Sequence, residues 1–147
     1  MKEENIAKVM GKDLPISTKQ SIEICKFIRH KDLQKVKQIL NDVILMKRAV
    51  PFTRFNKDTG HKIGKIAAGR FPQKAAGHIL KLINSLEANA QNKGLNTDSL
   101  YIKTIIANKA STPWHYGRLR RRKMKRTHIE IIAEEKEIKK PVKEIKK

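Results

Sequence analysis

The sequence predicts an α+β fold. Three stretches, 22–28, 33–44 and 76–90, carry apolar residues at helical spacing. Two others, 99–107 and 127–133, show the branched, alternating pattern of strands. Between those strands lies a dense run of cations, so the pair reads as a long antiparallel hairpin, bounded at residues 100–133, that holds the run out on a stalk.

In chain order, residues Ile6 to Gly11 give a weak strand signal. Ser17 to Gln20 reads as a capping box that opens the first helix. Ile22, Cys25 and Ile28 form its apolar face, widened by Ile24 and Phe27, and the helix should stop near Arg29. Asp32 is placed to cap a second helix with Leu33, Val36, Ile39, Leu40, Val43 and Ile44 in one stripe. The short link predicts that these two helices fold as an antiparallel hairpin. Periodicity fades from Met46 to Phe71, where Pro51, Gly60, Gly64 and Gly69 punctuate an extended basic loop, residues 46–71. Its glycines permit close backbone approach. Pro72 suits the first turn of a third helix, with Ala76, Ile79, Leu80, Ile83, Leu86 and Ala90 facing inward and Gly94 as its stop. From Glu134 onward Lys and Glu alternate around Pro141 with little to bury. A single domain over residues 1–135 and a flexible charged tail over 136–147 are therefore expected.

The chain has 147 residues and a formal charge of +20, from 34 Lys and Arg against 14 Asp and Glu. That length suffices for one modest core. The charge points to a polyanionic partner. Cys25 is the only cysteine, which excludes an internal disulfide and a multi-cysteine zinc site, and it is read as a core thiol suited to a reducing cytoplasm. No apolar run approaches the ~20 residues that span a bilayer, and the acidic start Met1 to Asn5 lacks a signal-peptide core. No membrane partner, small-molecule substrate, cofactor or catalytic constellation is expected. None of His30, His61, His78, His115 and His128 stands at a catalytic spacing from Cys25.

The hairpin cluster is the strongest functional signal. Seven of the nine residues from Arg118 to Arg126 are cations, and no acid occurs from Ser99 to Ile129. Crowding such charges is unfavourable unless phosphates neutralise them and release counterions. Arg118, Arg120, Arg121 and Arg122 offer planar forks that match phosphate oxygens, joined by Lys123, Lys125 and Arg126. On strands these side chains would alternate faces and suit a site surrounded by RNA. Trp114, His115 and Tyr116 precede the tip and are candidates for base stacking or for contact with an emerging peptide, the alternative being hairpin or core packing. Pro113 marks that arm as outside a central sheet strand. In the loop, Lys47, Arg48, Arg54, Lys57, His61, Lys62 and Lys65 mix with Phe52 and Phe55 as in single-stranded RNA sites. The alternative is a solvated loop anchored by its rings. Arg70 and Lys74 flank the start of the third helix, where free amides favour phosphate. Lys19, Lys26 and Arg29 on the first helix read equally as a solvated face or as RNA contacts.

Four segments then occur in a telling order: Ile16 to Arg29, Ala49 to Phe52, Gly69 to Ala76, and Glu87 to Leu95. With Asn108-Lys109-Ala110, Gly117-Arg118 and His128 to Ile131, they resemble the family of universal ribosomal protein twenty-two of the large subunit. The resemblance covers Ile6 to Glu135, and the loop 46–71 is similar to the archaeal and eukaryotic branch. It implies three helices packed on a small three-stranded antiparallel sheet, with a long projecting β-hairpin. It further implies a structural, non-catalytic constituent of the large subunit in the cytoplasm. Large-subunit rRNA, neighbouring large-subunit proteins and the nascent polypeptide are the implied partners, with the hairpin helping to line the exit tunnel. The interval from Asn108 to Gly117 is about four residues shorter than the family pattern, so a bulged or shortened tip is expected, with about 10 Å less reach at roughly 3.3 Å per residue. Competing readings are a free-standing nucleic-acid chaperone and an RNA-modifying enzyme. The second lacks a Gly-rich cofactor loop or a metal-ligand set.

Overall fold

The computed structural model describes residues 5–136. In order the elements are β1 (Ile6–Leu14), α1 (Thr18–Ile28), α2 (Leu33–Ile44), β2 (Val50–Pro51), β3 (Gly69–Arg70), α3 (Gln73–Asn92), β4 (Leu100–Lys109) and β5 (Thr127–Glu135). The predicted α+β class stands: three helices accompany a three-stranded antiparallel sheet of order β1-β5-β4. Except for Lys136, the predicted tail lies outside the described residues.

Strand β5 is central because it is branched and alternates strictly. Thr127, Ile129, Ile131 and Ala133 are buried, while His128, Glu130, Ile132 and Glu134 look outward and are half-buried. Burying an isoleucine stabilises the fold by about 1.5–3 kcal/mol relative to exposure, so one face is committed to the core. Helix α3 lies over β1 and α2, and α1 lies over β4. At Gly11 a Cβ would come within 2.9 Å of Leu82 Cδ1, so the missing side chain lets α3 approach β1 closely. Helix α3 ends as predicted. Leu95 N–H donates to Ala90 O at 3.0 Å and Gly94 N–H to Gln91 O at 2.9 Å, with Gly94 at φ +72°. This double closure needs a left-handed residue, and glycine takes it without strain.

Several local expectations are corrected. The Ser17 side chain makes no cap; its carbonyl instead accepts from Ser21 N–H and Ser21 Oγ, each at 2.9 Å. Asp32 likewise leaves its amides alone and turns to Lys35 and Lys136, which hold its carboxyl down at about 2. Helices α1 and α2 do not pair as a hairpin. Their link is stitched to β4 by His30 N–H to Ile102 O at 2.9 Å and Ile102 N–H to Lys31 O at 3.0 Å. Backbone pairing with the sheet thus separates them, and α2 packs on α3 instead. Ile22, expected in the core, is only half-buried; Ser21 and Ile24 take the inner face with Cys25 and Ile28. Strand β1 runs past Gly11 to Leu14 because pairing with β5 continues through a register shift, eased by Asp13 at φ 52°. Strands β4 and β5 each extend two residues beyond the predicted ends, to Lys109 and Glu135.

Cys25 is 2% exposed, and burial pushes its thiol up to about 12, against a weak downward pull from Arg29. The thiolate is the reactive form. Iodoacetamide at pH 8 should therefore leave the folded chain unlabelled and modify it only in denaturant, as read by intact mass; rapid labelling of the folded chain would contradict this packing.

Candidate nucleic-acid interface

The hairpin begins inside the fold and leaves it. Strands β4 and β5 pair from Leu100 with Glu135 to Lys109 with Thr127. Pairing then persists irregularly: Ala110 N–H reaches Arg126 O at 3.2 Å, Met124 N–H reaches Pro113 O at 2.8 Å, and His115 N–H reaches Arg122 O at 2.9 Å. Between the Lys109–Thr127 and Trp114–Lys123 pairs, one arm carries residues 110–113 and the other 124–126, so the first arm bulges by one residue. This bulge lies in the arm below the tip, on the side whose interval is short in sequence.

The cations of the tip are not on strands, contrary to expectation. A 3-10 turn over Gly117–Leu119 and the turn that follows carry Arg118, Arg120, Arg121 and Arg122, all exposed. Gly117 at φ +64° lets the chain reverse there. A turn splays side chains outward instead of alternating them, so these arginines fan from one point. Tyr116 is 87% exposed and Trp114 is 58% exposed, with Lys123 Nζ 4.6 Å from the indole centre. His115 is half-buried between them.

The hairpin root is locked to α1. Buried Thr127 donates its hydroxyl to Ile16 O at 3.0 Å and lies 2.9 Å from Thr18 Oγ1. Arg126, counted among the free cations by sequence, is half-buried and donates to Asp13 O at 3.1 Å. Its charge serves the joint as well as the surface.

The basic loop is more ordered than a plain excursion. Strands β2 and β3 pair antiparallel, His61 bridges Ala68, and Phe52 N–H donates to Ala68 O at 2.9 Å. Phe52 is buried and Phe55 half-buried, so both rings anchor the loop. Lys47, Arg48, Arg54, Lys57, His61, Lys62 and Lys65 are all exposed, as are Arg70 and Lys74 at the entry to α3. Gly60 and Gly64 face open space, and only Gly69 is crowded, 3.1 Å from Ile66 and Lys62 carbons for an added Cβ.

Two residues escaped the sequence reading as site residues: Lys109, which lines the groove at the hairpin root, and Glu23. Glu23 is 1% exposed, yet it lies two positions from Ser21 and Cys25, about 200° around the helix from the core. The loop buries it. Its Oε1 accepts from Arg54 N–H at 2.8 Å and Phe55 N–H at 2.9 Å; its Oε2 accepts from Thr53 N–H at 3.2 Å and Thr53 Oγ1 at 3.3 Å. Burial pushes this carboxyl up, but the amides of Phe55, Thr53 and Arg54, with the Thr53 hydroxyl, outweigh it and hold it below the usual range. The only sequence signal was an acid between Lys19 and Lys26 on a face that otherwise looked solvated. Lys26 itself donates to Thr53 Oγ1 at 2.8 Å, and Arg29 to Ile105 O at 3.1 Å.

These parts enclose a groove of about 910 Å³. The start of α1 gives Ser17 to Gln20, the loop gives Arg54, Lys57 and Arg70, and the hairpin gives Lys109, Lys123, Lys125 and Arg126. Among the described residues no carboxylate lines it. Lys47, Arg48, Lys62, Lys65, Lys74 and the tip arginines lie outside this groove. Four acids lie at the far end of the sheet, where Lys35 and Lys136 pair with Asp32 and Lys103 with Glu134. Glu135 pairs with Leu100 and Glu134 with Tyr101, Asp32 bridges Tyr101, and Asp98 precedes β4. Among the described residues no group of side chains could hold a metal ion, and no helix is long and apolar enough to cross a membrane.

Such a structure is that of a basic scaffold with a projecting hairpin. The chain belongs to the family described as Ribosomal protein L22p/L17e, whose sequence profile matches residues 9–134. It is 42% identical to Large ribosomal subunit protein uL22 of Archaeoglobus fulgidus, with 90% of each chain covered. The same-named protein of Methanocaldococcus jannaschii is 44% identical, over 90% of this chain and 89% of that one. That of Nanoarchaeum equitans is 43% identical, over 98% and 90%. The family is structural and non-enzymatic, and the chain is a structural constituent of the large ribosomal subunit.

Proposed function

We propose that the chain binds large-subunit rRNA through two connected surfaces, the groove at the root of the hairpin and the arginine fan at its tip. The carrying observation is that three separate segments converge on a groove that, among the described residues, has eight cations (Lys19, Arg54, Lys57, Arg70, Lys109, Lys123, Lys125 and Arg126) and no acid. Phosphate neutralisation with counterion release then drives binding, and the arginine forks and exposed rings add stacking. In this reading the core is one domain through residue 135. The tip, with Trp114 and Tyr116, helps line the exit tunnel and meets the nascent polypeptide, while the body supports assembly and touches neighbouring proteins. Sedimentation of a cytoplasmic lysate at moderate salt tests the assignment. The chain should travel stoichiometrically with large subunits and leave them only in high salt; recovery as a free protein would overturn it.

A further inference from the structure

We propose that Glu23 is a positioning residue for RNA binding: by clamping Thr53 to Phe55, its carboxylate preforms the Arg54 and Phe55 wall of the groove before any RNA arrives. This rests on the rRNA-binding reading and deepens it.

An acid beneath an anion-binding surface is paradoxical on charge alone. The structure resolves the paradox through its partners. Among the described residues no lysine or arginine forms an ion pair with Glu23; the four hydrogen bonds come from three successive amides and one hydroxyl. Lys19 and Arg54 are thus left free for phosphate. Lys19 Nζ lies 5.7 Å and the Arg54 guanidinium carbon 5.4 Å from the centre of the Phe55 ring, so both cations flank a ring that lines the groove. A buried carboxylate without partners is costly, so this one holds the loop as firmly as the loop satisfies it. The clamped segment follows buried Phe52, and the next residues, Asn56 and Lys57, also line the groove. A loop that must otherwise order itself on binding is ordered in advance, which raises affinity by removing that cost.

The sign of one substitution separates this role from simple electrostatics. Glu23→Gln removes a negative charge near the groove. On charge alone it strengthens RNA binding. As a positioning residue it weakens binding, because an amide has one acceptor oxygen and its NH2 faces backbone donors. If the competent wall is then present about a tenth of the time, affinity for an in vitro transcript of large-subunit rRNA falls roughly tenfold, with the salt slope unchanged. Equal or tighter binding by the Glu23→Gln chain overturns the proposal. Amide hydrogen exchange of the wild-type chain without RNA gives a second arm that needs no variant. Protection of Thr53, Arg54 and Phe55 supports the proposal, and exchange at open-loop rates overturns it. Failure of the wild-type chain to bind the transcript at all would overturn the underlying rRNA reading, and the exchange arm tells that failure apart.

Discussion

Replacing Arg120, Arg121 and Arg122 together by glutamine is expected to flatten the salt dependence of rRNA binding by about two to three units of slope, at roughly 0.7–0.9 per phosphate contact. At ~0.15 M salt the same loss weakens binding roughly 10²-fold. All three residues are exposed on the hairpin turn, and none makes a side-chain hydrogen bond or ion pair within the described residues, so folding should be unaffected. A triple change of equal charge at Lys8, Lys35 and Lys81, exposed elsewhere on the body, is the control. It should leave the slope almost intact. Filter binding across a salt series distinguishes the two sets. If both triples lower the slope equally, net charge matters and the fan does not, and the tip has no special place in recognition.

Truncation of Ile131 to alanine should produce the largest loss of stability. Ile131 is 0% exposed in the middle of the central strand, and pairs with Val9 on one side and Ile105 on the other. No flank can collapse into the space, because both neighbours are held by backbone pairing. The expected cost is about 2–5 kcal/mol from lost burial and the cavity left behind. In urea, with slopes of about 1–3 kcal/mol per molar, the midpoint should fall by roughly 1–3 M. Ile106→Ala, on the outer face at 39% exposure, is the comparison and should cost well under half as much. Similar shifts for the two would mean that the inner face does not carry the fold.

The large features were legible in the sequence because they rest on local patterns. Ala76 to Ala90 announced α3, Gly94 announced its end, and the branched alternation of 127–133 announced β5. The family segments then supplied the sheet. What escaped was set by distant backbone. Capping by Asp32 was a fair local inference, but the stitched link at His30 and Lys31 and the attraction of Lys136 changed the local balance. The cationic run was legible as chemistry and misread as geometry, since its turn depends on Gly117 and on strand pairing that ends early. Glu23 was invisible for a plainer reason. Its partners are backbone amides 30 to 32 positions away, and amides leave no mark on residue identity.

The separation of charge along β4 and β5 has a consequence for how the molecule arrives. Asp32, Asp98, Glu134 and Glu135 sit at one end of that ribbon, where Lys35, Lys103 and Lys136 offset them, and the uncompensated arginine fan lies at the other. A body so polarised experiences a torque in the field of a polyanion, in addition to attraction. On the rRNA-binding reading it should rotate as it diffuses, fingertip leading, so that encounters begin with the arginine fan toward the RNA. Added salt shortens the range of that torque, to ~8 Å at physiological strength, and alignment becomes a matter of the last few ångströms.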